Sequence, residues 1–184
     1  MHDRIATIVR AIQAHDPLEA DHIGATLEWI DSGAPLCRTQ KPATPPKHLV
    51  SYFMLVDSLN RQLLLVDHRK SGLWLPSGGH VEPGEHPRAT VEREAWEELR
   101  IEARFLFEEP LFLTVTQTVG QTAGHTDVSL WYVIMGDASQ PLQYDLEEFA
   151  RIAWFSLDAL PLERTDPHME RFTSKLAAAL ARRL

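Results

Sequence analysis

Three apolar runs of strand length, at residues 49–56, 63–66 and 128–135, are nearly continuous rather than alternating. A strand with one wet face alternates polar and apolar residues, so continuous runs imply strands buried on both faces. Such a sheet needs helices on each side. The chain supplies them at residues 87–100, which lack Pro and Gly after Pro87 and are rich in Glu, Ala, Arg and Leu, and at its end. There Met169, Phe172, Leu176 and Leu180 recur at helical spacing behind Asp166-Pro167, expected to cap the helix. Residues 111–119 alternate, with Thr114, Thr116 and Thr118 on a face that either lines a groove or meets solvent, and residues 152–155 give a short last strand. The expected class is α/β, a mixed sheet between helices.

The first third reads differently. Ile5, Ile8, Val9 and Ile12 recur at helical spacing, as do Leu18, Ile23, Leu27 and Ile30, with Asp16 as the N-cap before Pro17, Glu19 as its capping-box partner and Gly33 as a stop. Residues 34–47 hold Pro35, Pro42, Pro45 and Pro46 and form a linker or extended strap. The expected division is a helical extension with its linker over residues 1–46 and the α/β domain over 47–184. Amphipathic faces on the extension require burial, either over a substrate pocket or in a homodimer contact.

With 184 residues, 44% hydrophobic and 24% charged, the chain is long enough for one core. A formal net charge of -8 argues against holding a nucleic acid polymer, which needs a basic surface. Cys37 is the only cysteine, so no intrachain disulfide or thiolate zinc cluster is expected, and its thiol is read as inert. No apolar run approaches the ~20 residues that span a bilayer, and the N-terminus lacks a signal-type stretch. The expected location is cytoplasmic, away from membranes.

The chemistry concentrates in the segment from Leu75 to Ile101. Glu94, Glu97 and Glu98 stand at i, i+3 and i+4, so three carboxylates share one helix face, while Val91, Ala95 and Leu99 form a separate docking stripe. Like charges so spaced cost an isolated helix about 0.2–0.5 kcal/mol per pair unless a cation neutralises them. The cation preferred by such oxygens is Mg²⁺, with Mn²⁺ as a substitute. The three glutamates alone also suit a solvated acidic surface. Gly79, five residues, Glu85, seven residues and then Arg93-Glu94-Ala95-x-Glu97-Glu98 resembles the box of the Nudix hydrolase superfamily, with Arg100 where that box has glycine and the expected apolar residue at Ile101. Arginine in a left-handed cap would cost about 1 kcal/mol, unless the helix ends otherwise.

The resemblance implies a Nudix-like α/β/α sandwich and an Mg²⁺-dependent pyrophosphohydrolase acting on a nucleoside diphosphate linked to another moiety. It implies Glu94, Glu97, Glu98 and the carbonyl of Gly79 as metal ligands, and Glu85 with Arg93 as the pair bracing loop against helix. Glu98 is the first choice for general base, with Glu94 and Glu148 behind it. Glu147 and Glu148 sit where several relatives place an extra ligand or base. The alternative function is a non-catalytic nucleotide sensor on the same fold; an isoprenoid diphosphate isomerase is disfavoured, because Cys37 lies outside the matched region. Arg69 and Lys70 are candidates to meet phosphate, Trp74 and Trp131 to stack on a base or fill the core, His80 and His86 to touch phosphate or sit exposed in loops, and Asp127, after His125, to be an acid at a strand mouth.

Overall fold

The structure is a computed structural model that describes residues 1–41, 44–118 and 124–183; Pro42 of the expected strap and Val119 of the expected strand lie outside them. The elements run α1 (His2–Ala11), α2 (Pro17–Asp31), β1 (Lys47–Asp57), β2 (Gln62–His68), β3 (Leu73–Leu75), β4 (Ser77–His80), α3 (Pro87–Leu99), β5 (Phe112–Gln117), β6 (Thr126–Met135), β7 (Phe149–Ser156), a 3₁₀ turn at Leu162–Arg164 and α4 (Met169–Ala181).

Strands β1 and β6, the two longest apolar runs, pair in parallel from Lys47 opposite Thr126 to Val56 opposite Met135. Every other pairing of these strands is antiparallel. β1 shares its second edge between two partners: β4 over Val50 to Phe53 and β2 at Val56 and Asp57. β5 extends the sheet beyond β6, and β7 and β3 extend it beyond β2. Successive side chains of β1 point to opposite faces. Phe53 and Leu55 join the core layer of α3, through Val91, Ala95 and Leu99. Met54 and Val56 join that of α4, through Met169, Phe172, Leu176 and Leu180, with Trp74 and Trp131 among them. The expected sandwich is present, and both tryptophans are core residues.

The extension covers the open edge of β5. An edge strand exposes unpaired backbone donors, and here side chains of α2 take them: Leu113 N–H donates to Glu19 Oε1 (3.2 Å) and Val115 N–H to His22 Nδ1 (3.4 Å). Glu19 is fully buried and accepts Lys175 Nζ of α4 at 2.8 and 2.9 Å. It also takes the N–H of His15 (2.7 Å), so its carboxylate closes the cap one residue earlier than the Asp16 box expected. Asp16 does cap α2 through Glu19 N–H (2.9 Å) and also receives Arg171 of α4 on both oxygens (2.6 and 2.7 Å). Ile5, Ile8 and Val9 of α1 enter the α3-side core. The extension and the sheet thus share one interior.

One boundary differs from expectation, and another takes the left-handed form that was one of the two expected at Arg100. α4 starts at Met169, because Asp166 uses Oδ1 on the N–H of His168 and leaves His168 as the cap. α3 keeps a left-handed end at Arg100 (φ 55°, ψ 36°), with the next N–H, of Ile101, reaching Ala95 O (3.2 Å).

Removing one partner of a buried pair strands the other charge at a cost of about 3–5 kcal/mol. Lys175→Met is expected to lose stability on that scale in urea unfolding, and Glu19→Gln with Lys175→Met to lose less. Arg100→Gly is expected to gain about 1 kcal/mol in the same measurement, by relieving the left-handed strain.

Candidate active site

The site forms where β4 passes between β1 and α3. Gly78 has φ +145°, and a Cβ there would lie 2.2 Å from Ser51 O; a Cβ on Gly79 would lie 1.9 Å from Glu94 Oε1. Backbone closes the Gly78 position to any side chain, whereas a side chain at Gly79 would have to displace Glu94. α3 begins at Pro87, after His86, whose Nδ1 accepts Arg88 N–H (3.1 Å); His86 is a helix cap, not an exposed loop residue. The docking stripe of α3 then turns Glu94 and Glu98 towards the glycines, and Glu98 Oε2 accepts Gly78 N–H (3.1 Å).

Glu85 and Arg93 hold the loop to the helix. Arg93 donates from Nε to Glu85 Oε1 (3.0 Å) and from Nη2 to Glu85 Oε2 (3.2 Å), a bidentate pairing that fixes both planes. The same guanidinium reaches Glu94 Oε1 (2.7 Å), Glu97 Oε2 (3.4 Å) and His80 O (3.3 Å). Glu85 Oε2 accepts Thr90 Oγ1 (2.7 Å) and Glu82 N–H (3.0 Å) as well.

His80, Arg93 and Glu94 face a cleft of about 840 Å³. Glu94, Glu98 and Glu148 line it, with Gly79 and Lys70. Burial raises the Glu94 carboxyl above its usual range, and raises Glu98 further, with Glu94 and Glu148 adding to the effect on Glu98. Glu148 is held below its usual range, first by its hydrogen bond with His68 Nε2 (3.3 Å). Glu97 is not in the cleft wall; its side chain is 56% exposed and leans on Arg93. Glu147 is exposed, with its N–H on Asp145 Oδ1 (2.7 Å). Lys70 lines the cleft, whereas Arg69 turns its Nε to Leu146 O (3.0 Å). Thr116 and Thr118 face the cleft, and Thr114 is buried, accepting Trp131 Nε1 (2.9 Å). Cys37 is buried at the strap, its thiol pushed up to about 11 by burial, consistent with an inert thiol.

His80 departs from the expectation of an exposed loop residue. It ends β4, and its ring packs near those of His48 and His125, with centroids 4.8 and 6.1 Å away. Asp127 is likewise a buried strand residue. Burial, with Arg38 nearby, pushes His80 down to about 3, and burial lowers His125, so both rings are neutral at pH 7. The sequence hint was the His125-x-Asp127 pattern at a strand mouth; His48 gave none.

A family model described as the NUDIX domain matches residues 47–176. The chain belongs to the NUDIX family. It is similar in structure to a MutT NUDIX hydrolase from Burkholderia pseudomallei, at 20% identity and TM-score 0.54 over 70% of this chain and 97% of that one. A NUDIX family hydrolase from Clostridium perfringens gives 19% and 0.55 over 72% and 97%. The MutT protein from Methanosarcina mazei Go1 gives 18% and 0.58 over 73% and 95%. As a Nudix pyrophosphohydrolase the protein acts, in general terms, on a nucleoside diphosphate linked to another moiety, and such enzymes use a divalent metal. The donor set suits that metal: carboxylate oxygens crowd a cleft where, by themselves, burial and mutual repulsion oppose their ionisation. No helix among the described residues is long and apolar enough to cross a membrane.

Because a methyl group at Gly79 collides with Glu94, Gly79→Ala is expected to displace that carboxylate. Turnover should fall at least about 100-fold, since active-site displacements near 1 Å have effects on that scale, with circular dichroism unchanged.

Proposed function

We propose that this Nudix enzyme hydrolyses a phosphoanhydride bond in a nucleotide or nucleotide-sugar type substrate, with Mg²⁺ as the working cation and Mn²⁺ able to replace it. The observation that carries the reading is the meeting of Glu94, Glu98 and Glu148 beside Gly78 and Gly79 in one cleft. Glu94, Glu98 and the Gly79 carbonyl are the groups that hold the cation; Glu97, engaged by Arg93 outside the cleft wall, would have to turn in to join them. When bound, Mg²⁺ neutralises diphosphate charge and acidifies water. Glu85 and Arg93 position the loop and the helix relative to each other and touch no substrate. Lys70 and Arg38, both on the cleft wall, supply positive charge for phosphate oxygens.

Glu148 is the proton acceptor in this reading, ahead of Glu98 and Glu94. One Glu98 oxygen is engaged by Gly78 N–H inside the protein, whereas Glu148 opens on the cleft and is oriented by His68. Water attacks phosphorus, its proton passes to Glu148, and the bond to the bridging oxygen of the diphosphate breaks. Residues 1–46 act as an extension of the catalytic domain that begins at residue 47, and their strap completes one wall of the cleft.

The test incubates wild type, Glu98→Gln and Glu148→Gln with Mg²⁺ and a panel of nucleotides and nucleotide sugars, identifying products by mass. Wild type is expected to cleave at least one compound. Glu148→Gln should lower kcat by about 10²–10⁴-fold with KM little changed, and Glu98→Gln should in addition raise the Mg²⁺ requirement. A base must be ionised, so at saturating Mg²⁺, which keeps Glu94 and Glu98 ionised, the wild-type rate falls as pH drops through the Glu148 pKa; because that pKa lies below the usual range, activity persists into weakly acidic solution, and residual Glu148→Gln activity lacks this limb. Tight binding without turnover, unchanged by either substitution, would instead indicate a sensor.

A further inference from the structure

On β1, at the end of β4 and at the start of β6, His48, His80, His125 and Asp127 each offer a ligand atom, and the four atoms lie within 4.8 Å of one another. We propose that these residues form a second metal site, for a zinc-type transition ion, separate from the carboxylates of α3.

Strand register brings the four together. His48 and Asp127 are direct neighbours in the parallel β1–β6 ladder, His80 pairs with Val50 of β1, and His125 immediately precedes β6. His48 is completely buried, and its Nδ1 hydrogen-bonds Pro45 O (2.8 Å). A carbonyl only accepts, so Nδ1 carries the proton and, in the neutral ring, Nε2 presents a bare lone pair. That Nε2 stands 3.4 Å from Asp127 Oδ1, and neither atom has a hydrogen-bond partner. His125 directs its Nε2 at the same oxygen, also 3.4 Å away, with its Nδ1 on Thr118 Oγ1 (3.3 Å). The Nε2 of His80 is buried and unpartnered too. The lone pairs of His48 Nε2 and Asp127 Oδ1 repel one another unless a cation stands between them. Backbone or hydroxyl partners on the outer nitrogens are the usual supports of metal-binding imidazoles.

The spacing suits a small ion. Two donors each about 2.0–2.1 Å from a tetrahedral zinc stand roughly 3.3 Å apart, near the 3.4 Å found for both His–Asp pairs. The donors also select the metal. Arg38, close enough to act on His80, His125 and Asp127, offsets the single carboxylate charge, so binding depends on the three imidazole nitrogens. That favours zinc-type ions over Mg²⁺, which prefers oxygen and charge. Such an ion would tie the ends of β1, β4 and β6 together one residue from Gly79.

The experiment uses the full chain, stripped with a chelator, loaded with Zn²⁺ in excess Mg²⁺, desalted and assayed for metal by mass spectrometry. One zinc per chain is expected in wild type and in Glu94→Gln/Glu97→Gln. Zinc affinity should fall at least about tenfold in Asp127→Asn and in His125→Ala. Thermal melts of the metal-free proteins establish that the variants are folded. Should one not fold, Co²⁺ added to wild type still decides: intense visible absorption of a tetrahedral site supports the proposal, and weak octahedral absorption overturns it. No retained zinc in wild type, or retention lost with the glutamates and kept without Asp127, would overturn it as well.

Discussion

At Gly78 and Gly79, strand β4 runs so close to β1 on one side and to α3 on the other that a single Cβ atom would collide with Ser51 O or with Glu94. This close approach sets the rest of the site. It lets Gly78 donate its N–H to Glu98, places the Gly79 backbone against Glu94, and requires α3 to dock at one depth on the sheet. The docking stripe of Val91, Ala95 and Leu99 meets that requirement, with Ala95 offering the least bulk at its centre. A bulkier residue at any of these positions would push the carboxylates away from the strand before it disturbed the remainder of the core.

The same closeness concentrates negative charge. Arg93 contacts Glu85, Glu94 and Glu97 together, so one cation serves three carboxylates, and Glu98 and Glu148 are outside its reach. Burial therefore acts on Glu98 with Glu94 and Glu148 adding to it, and its carboxyl rises. Stability alone would not favour this arrangement, because an unpaired buried acid costs free energy in its charged form. The protein accepts that cost at the position where a divalent cation of its family's chemistry would remove it. Glu19, by contrast, is buried and paired with Lys175.

How much of this was legible in the sequence varies with the distance over which the controlling contact acts. The glutamate spacing, the bracing pair and the apolar runs depend on neighbours within a turn or on burial of both strand faces, and these readings agree with the fold. The cap of α4 moved because Asp166 spends its oxygen on His168, a choice set by the 3₁₀ turn and loop before it. Strands β3 and β4 were not expected: they are three and four residues long, and Ser77-Gly78-Gly79-His80 has no strand propensity. It is held by β1 instead. The histidine cluster was invisible for a different reason. Its members are separated by up to 79 residues, and only the parallel register of β1 with β6 makes His48 and Asp127 neighbours.

The extension shows how an appendage becomes part of a site. Leu36 O accepts the N–H of Leu49, so the strap is stitched to the start of β1, and the residues that follow it, Arg38 to Lys41, form part of the cleft wall. Because α2 is in turn fixed to α4 through Asp16–Arg171 and Glu19–Lys175, movement of the strap is resisted at both ends. In the proposed function the α3 carboxylates serve the cation and the strap side of the cleft meets whatever the diphosphate carries, so substrate choice falls to residues outside the signature. The position of that wall depends on two ion pairs, each joining residues more than a hundred apart in sequence.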